Sequence, residues 1–335
     1  MNDISIYRIR GLALIMGILS ALLVFMLSSK LYGKGIGLLS SLLYATIPTI
    51  VIGSRLVQNE NFFIPLWLFS LYLTVSYLKN KRTWMRNTAA VLAGFLILAK
   101  IPWIAGVFSI CIILLYHKKY KDVLITLAII IPIFLTYIVY GFYYDKDLFL
   151  GLWGLQLNRY DISFTSIYAL FQKPYLADRY YLDGWIFWGF ISFIIVCSRD
   201  IKKNIVLLSA VISYFLVFLA AIPDEAGHGW YRYPFYPFLI ISIALFLKEY
   251  FIKNWIMTFL FLVFIGTSLF EITWTSTFGF SYVVFRILIV SWGLVLIPQY
   301  LPSKLSLRLA SVTSYSWIIL FILMNIWAVM IYNEQ

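Results

Sequence analysis

Ser54-Arg-Leu-Val-Gln-Asn-Glu-Asn-Phe62 is a short polar stretch between two apolar runs, and the rest of the chain is read outward from it. It interrupts the hydrophobic pattern where a loop leaves one membrane-spanning segment and enters the next. Arg55 and Glu60 stand five residues apart in it. The neighbouring loops are basic and almost free of acid, so the acid here marks the face on which this loop lies.

The composition agrees with that reading. Of 335 residues, 63% are hydrophobic and only 12% charged, with a mean hydropathy of +0.91. These values exclude a soluble globular domain. A helix needs about 20 apolar residues to cross a bilayer core, and such stretches recur from residue 11 to residue 332. The expected fold is all-α and polytopic, a single integral-membrane domain over residues 1–335 with no soluble domain. About 12 transmembrane helices are expected, some short or broken. They fall at 11–29, 36–53, 62–78, 88–99, 102–116, 123–142, 184–198, 204–222, 234–247, 255–273, 282–300 and 312–331. The one long connection is 143–183. Cys111 and Cys197 sit in apolar runs and read as inert thiols. There is no internal repeat and no low-complexity tract.

Charge assigns the sides. The loops 30–35, 79–87, 117–122, 199–203, 248–254 and 301–311 carry 16 of the 26 Lys and Arg against three acids, Asp122, Asp200 and Glu249. The alternate set carries 10 basic and 11 acidic residues. The first set is therefore expected in the cytoplasm, and the 143–183 loop outside. The net charge of +12 then reflects topology and contact with anionic lipid heads rather than nucleic acid. Because 79–87 and 117–122 share a side, residues 88–116 must cross twice, as two short helices broken at Lys100-Ile101-Pro102. Residues 1–10, with Arg8 and Arg10, fall outside, against the usual preference. A further upstream helix is the simplest repair, since Ser28-Ser29-Lys30 makes a poor signal-peptide cleavage site.

Three constellations can carry chemistry, all on the expected outer side. Glu60 is the first. A carboxylate at a membrane boundary can bind a divalent cation or take a proton from an acceptor hydroxyl, and nearby Arg55 can hold a phosphate. The bland alternative is a loop pair facing headgroups. Lys100 is the second, a lysine at a helix break that is costly unless paired or snorkelling to the interface. The third is Asp224-Glu-Ala-Gly-His-Gly-Trp-Tyr-Arg-Tyr-Pro-Phe-Tyr-Pro237. There Asp224, Glu225 and His228 make an incomplete metal or acceptor set, and Arg232 among tyrosines suits a phosphate. Segment 143–183 mixes acids and aromatics, which suits either sugar binding or an amphipathic stretch on the bilayer. Glu271 and Arg286 are expected to pair. No phosphate-binding glycine loop, nucleophile elbow or zinc motif occurs.

Several of these stretches together resemble the GT-C class of integral-membrane glycosyltransferases, in the branch of protein O-mannosyltransferases and lipid A aminoarabinose transferases. The likeness lies in Arg10 to Gly17, Lys30-Leu-Tyr-Gly33 through Pro48, Arg55 to Glu60, Leu98-Ala-Lys100 and Arg232-Tyr-Pro-Phe-Tyr-Pro237. The resemblance implies transfer of a sugar from a polyprenyl- or dolichyl-phosphate donor to a protein, lipid or glycan acceptor on the extracytoplasmic face. It further implies Glu60 as catalytic acid or metal neighbour, Arg55, Lys100 and Arg232 on the donor phosphate, and a divalent Mg or Mn ion. The family's principal acid precedes the position matching Arg10, so the catalytic loop is expected to be missing from the chain as written. The rival readings are a transporter or lipid flippase, and a non-catalytic membrane subunit.

Overall fold

The structure is a computed structural model that describes residues 6–157, 170, 175–176, 179–180, 184–221, 229–269 and 281–331. The helices are α1 (Ile6–Tyr32), α2 (Lys34–Thr46), α3 (Pro48–Ser54), α4 (Asn59–Asn80), α5 (Thr83–Ala99), α6 (Ile104–Tyr116) and α7 (Tyr120–Leu157). They continue as α8 (Gly184–Arg199), α9 (Ile201–Ala221), α10 (Tyr236–Glu249), α11 (Trp255–Leu269), α12 (Tyr282–Gly293), α13 (Ile297–Tyr300) and α14 (Lys304–Ile331). A two-residue antiparallel pair joins Tyr175–Leu176 to Arg179–Tyr180.

The breaks between helices have local causes. Gly33, at φ 96, takes a backbone conformation that side chains avoid and separates α1 from α2. Pro48 opens α3 with its ring where no N–H is needed, and α3 bends 66° from α2. Lys100 is extended, and Pro102 lies in the 3₁₀ turn Ile101–Trp103 that follows, so the expected break in 88–116 is observed.

The 143–183 connection is a correction, because α7 runs through Tyr143 and ends only at Leu157. The cause lies at Asp145. Its backbone leaves the helix (φ −162, ψ 96), while its Oδ1 accepts from the Leu148 amide at 2.9 Å. That is an N-cap, which starts a second helical arm at once.

By length and apolarity, six described helices can cross a membrane unaided, or seven if the bent α2–α3 pair counts as one span. The 12 expected segments overlap helices wherever their residues are described, but several of these helices are too short to cross unaided, so the expected count of 12 spans is not established. Large apolar side chains such as Leu14, Ile18, Leu124 and Val139 are exposed on α1 and α7, as lipid contact requires. α10 is apolar all round and its residues 236–246 are fully enclosed, which places it at the centre of the bundle, against α2 and α8.

One end of the bundle gathers the basic loops. Lys79 Nζ donates to the Lys30 carbonyl at 2.8 Å. Arg86 Nη1 pairs with Asp122 Oδ1 at 2.6 Å, and Tyr77 Oη donates to Asp122 Oδ2 at 2.7 Å. Arg199 and Lys203 reach Glu249 at 3.5 and 3.3 Å. These contacts unite loops that charge alone had grouped. Asp122, about one-eighth exposed, ties α4, α5 and α7 through one carboxylate. Asp122→Asn should therefore cost about 2 kcal/mol, and Tyr77→Phe about 1 kcal/mol, read as lowered thermal midpoints in detergent. Equal effects from the two would mean that the Arg86 charge pair contributes nothing.

Candidate functional site

The opposite end of the bundle brings together Glu60 and Lys100. α3 stops at Ser54, and the turn 55–58 leads into α4. Asn61 holds that turn: its Nδ2 donates to the carbonyls of Gly53 at 2.8 Å and Leu56 at 2.7 Å. These are carbonyls that a helix end leaves without intrahelical partners. Locking the turn sets Glu60 in the first turn of α4, where the helix dipole favours an anion, with the residue only 3% exposed.

Lys100 arrives from α5. Its amide donates to the Leu96 carbonyl at 3.3 Å and its own carbonyl accepts from Trp103 N at 2.9 Å, which fixes the residue on both sides. Its Nζ donates to Glu60 Oε1 at 2.7 Å. Lys100 thus finds its counterion in the other residue singled out from the sequence. Arg55 does not pair with Glu60: its guanidinium instead approaches the Val329 carbonyl on α14 at 3.4 Å. The reason is geometric. The 55–58 turn and the first turn of α4 direct the two side chains to different neighbours.

Lys100 Nζ also lies 4.7 Å from the centroid of the Tyr231 ring, a cation–π contact. Tyr231 belongs to the 3₁₀ turn Gly229–Arg232, and its carbonyl accepts from Tyr214 Oη at 3.0 Å. Arg232, the next residue, is buried and partnered. The two charges differ in access. The Glu60 side chain is 4% exposed and that of Lys100 28%, so the ammonium is the group an incoming ligand meets. It has three donors, and Glu60 uses one.

Beneath the pair lies an aromatic cluster. Trp103 packs at 5.8 Å from Phe63, 6.0 Å from Trp67 and 6.2 Å from Tyr214. Trp67 Nε1 is satisfied by Ser109 Oγ at 3.0 Å. Sequence reasoning passed over Tyr214 and Trp103, which look like ordinary apolar filling. Trp103 carried one usable signal, its place directly after the helix-breaking Pro102.

Glycines let the backbones close in around the site. A Cβ on Gly17 would lie 3.2 Å from Ser54, and one on Gly53 only 2.1 Å from Tyr233 Oη. Gly53→Ala must displace the Tyr233 ring, and Tyr233 follows Arg232 directly, so the 229–235 turn is expected to be disturbed. A cost of about 1–3 kcal/mol is expected, with weaker binding of any ligand of Lys100. A donor KM and thermal midpoint both equal to wild type would show that the Tyr233 ring yields freely.

Asp224, Glu225 and His228 lie outside the described residues, as do Glu271 and most of 158–183. Among the described residues, no three His, Cys, Asp or Glu side chains gather as metal ligands. At Glu60 the neighbour is a cation rather than further carboxylates, a poor donor set for Mg or Mn. A divalent ion there needs oxygen ligands from beyond the described residues.

Residues 2–140 match the family model for dolichyl-phosphate-mannose-protein mannosyltransferase. The fold is similar to that of ArnT from Cupriavidus metallidurans, whose crystal structure has undecaprenyl phosphate bound. The TM-score is 0.58 at 13% sequence identity, over 96% of this chain and 63% of that one. The chain therefore spans less than two thirds of the length of ArnT. No curated protein matches it in sequence.

Proposed function

We propose that this protein, a GT-C class integral-membrane chain in fold and in its N-terminal family match, transfers a sugar from a polyprenyl-phosphate donor to an acceptor hydroxyl. The reaction would take place on the extracytoplasmic face, the end of the bundle opposite the basic loops. The observation that carries the reading is the Glu60–Lys100 pair, an inward carboxylate holding a partly open ammonium over the Tyr231 ring.

In the proposed transfer, the acceptor oxygen bonds to the anomeric carbon as the carbon–oxygen bond to phosphate breaks. The hydroxyl proton passes to a base or to water, and polyprenyl phosphate leaves with its bonding electrons. Charge grows on the departing phosphate, and a cation already in place stabilises it without reorganising. Lys100 fits that part, with Arg55 as a further phosphate ligand. Glu60 is too enclosed to reach an acceptor and fits instead as the group that aims Lys100. No step is assigned to a metal ion.

The test is sugar transfer by the purified protein in liposomes carrying a radiolabelled polyprenyl-phosphate sugar. Wild type should release polyprenyl phosphate, and Glu60→Gln should cut turnover about tenfold or more, as the loss of one charge-assisted bond predicts. Lipid-linked sugar that crosses the bilayer without being released would make the protein a flippase. Unchanged turnover in Glu60→Gln would remove that residue from the mechanism.

A further inference from the structure

We infer a second, separate phosphate-recognising site at the basic end of the bundle, one that takes the headgroup of an anionic membrane phospholipid. A cavity of about 360 Å³ opens there, ringed by Lys79, Lys81, His117, Lys119, Lys202 and Lys203. These residues come from three places far apart in sequence, the end of α4 with the turn after it, the turn before α7 and the first turn of α9, so folding brings them together.

The acids at this end are already engaged elsewhere. Asp122 is held by Arg86 and Tyr77, and Glu249 by Arg199 and Lys203. Asp200 accepts the Lys203 amide at 2.9 Å as a helix cap. Among the described residues, Lys81, Lys119 and Lys202 make no ion pair. Lys119 feels the Asp122 charge without bonding to it, so three cations with no direct acidic partner crowd one concavity and favour an anion.

The walls decide between a dissolved anion and a lipid. Val75, Leu78 and Val206 line the same cavity, so apolar surface continues directly from the cationic rim. A soluble phosphate has no use for that surface. A glycerophospholipid matches both parts, its phosphate among the lysines and its glycerol and first methylenes against the narrow apolar strip that Leu78 and the nearly buried Val75 and Val206 leave open. Basic pockets between membrane helices are suited to such headgroups.

The experiment uses the full chain in nanodiscs and in detergent. Native mass spectrometry would measure retained phosphatidylglycerol against phosphatidylcholine. Wild type should retain phosphatidylglycerol selectively, and millimolar inorganic phosphate should not displace it. Lys81→Gln with Lys119→Gln and Lys202→Gln should weaken retention about fivefold per lysine, or roughly a hundredfold together. A control with the same charge change away from the cavity, Lys253→Gln with Lys304→Gln and Arg308→Gln, should leave retention within about threefold of wild type. An equal loss in the control would reduce the site to general surface charge and overturn the inference. Displacement by inorganic phosphate would overturn the lipid assignment. Neither result touches the Glu60–Lys100 site, so the proposed transferase activity stands or falls separately.

Discussion

Lys100→Met should abolish sugar transfer and destabilise the protein, and the two losses should separate when Glu60 is changed as well. Lys100 Nζ is the described counterion of a carboxylate that is 4% exposed. Removing it leaves that charge enclosed and unpaired, a loss of about 3 kcal/mol. Replacing both partners, with Glu60→Gln added, removes the orphaned charge and should restore most of the stability. It cannot restore a cation to the departing phosphate. Donor kcat/KM in the double variant should stay at least about a hundredfold below wild type, equivalent to roughly 3 kcal/mol of transition-state stabilisation. Thermal unfolding and single-turnover release of polyprenyl phosphate, measured on one preparation, read both quantities. A double variant that folds and transfers at the wild-type rate would leave the pair a structural staple only.

Trp103→Ala should produce the largest loss of stability among single substitutions near the site. The ring is 2% exposed and shares edges with Phe63, Trp67 and Tyr214. Its removal opens a cavity among rings that are themselves fixed by α4, α6 and α9. The expected cost is about 3–5 kcal/mol, with part of it the loss of aromatic pairing. Trp103→Phe should recover about half. The donor KM should rise as well, because Trp103 N holds the Lys100 carbonyl and a looser ring lets that turn drift. A loss below about 1 kcal/mol would mean that Phe63 and Tyr214 close over the space. Intrinsic fluorescence cannot report this change cleanly, so hydrogen exchange of the 100–106 amides is the better measure.

The helical membrane architecture was legible because apolar runs of bilayer length leave few other structures open. The grouping of loops was legible in large part, since Lys and Arg cluster by loop and the structure brings 30–35, 79–87, 117–122, 199–203 and 248–254 together. Lys100 was legible as a costly charge in search of a partner. The partner was not. Glu60 lies 40 positions away, and its sequence neighbour Arg55 looked the more natural mate. Only the Asn61 clamp and the arrival of α5 decide between them, and both are tertiary facts. Tyr214 stayed hidden for the same reason. A tyrosine in an apolar run gives no sign that its hydroxyl holds another turn's carbonyl. The second arm of α7 fell within the 143–183 connection, whose mixed acids and aromatics give no clear helical period, whereas here the Asp145 carboxylate starts a helix.

That arm has a further consequence. Drawn out straight, 38 residues of helix would measure about 57 Å, nearly twice the thickness of a hydrocarbon slab. A rigid rod of that length would lift the seven large apolar side chains of residues 148–157 into water. With an elbow at Asp145, the distal portion can fold over and rest along the headgroups. A single carboxylate thereby decides where the straight rod ends, and replacing it is expected to alter the protein's fit to bilayers of different thickness.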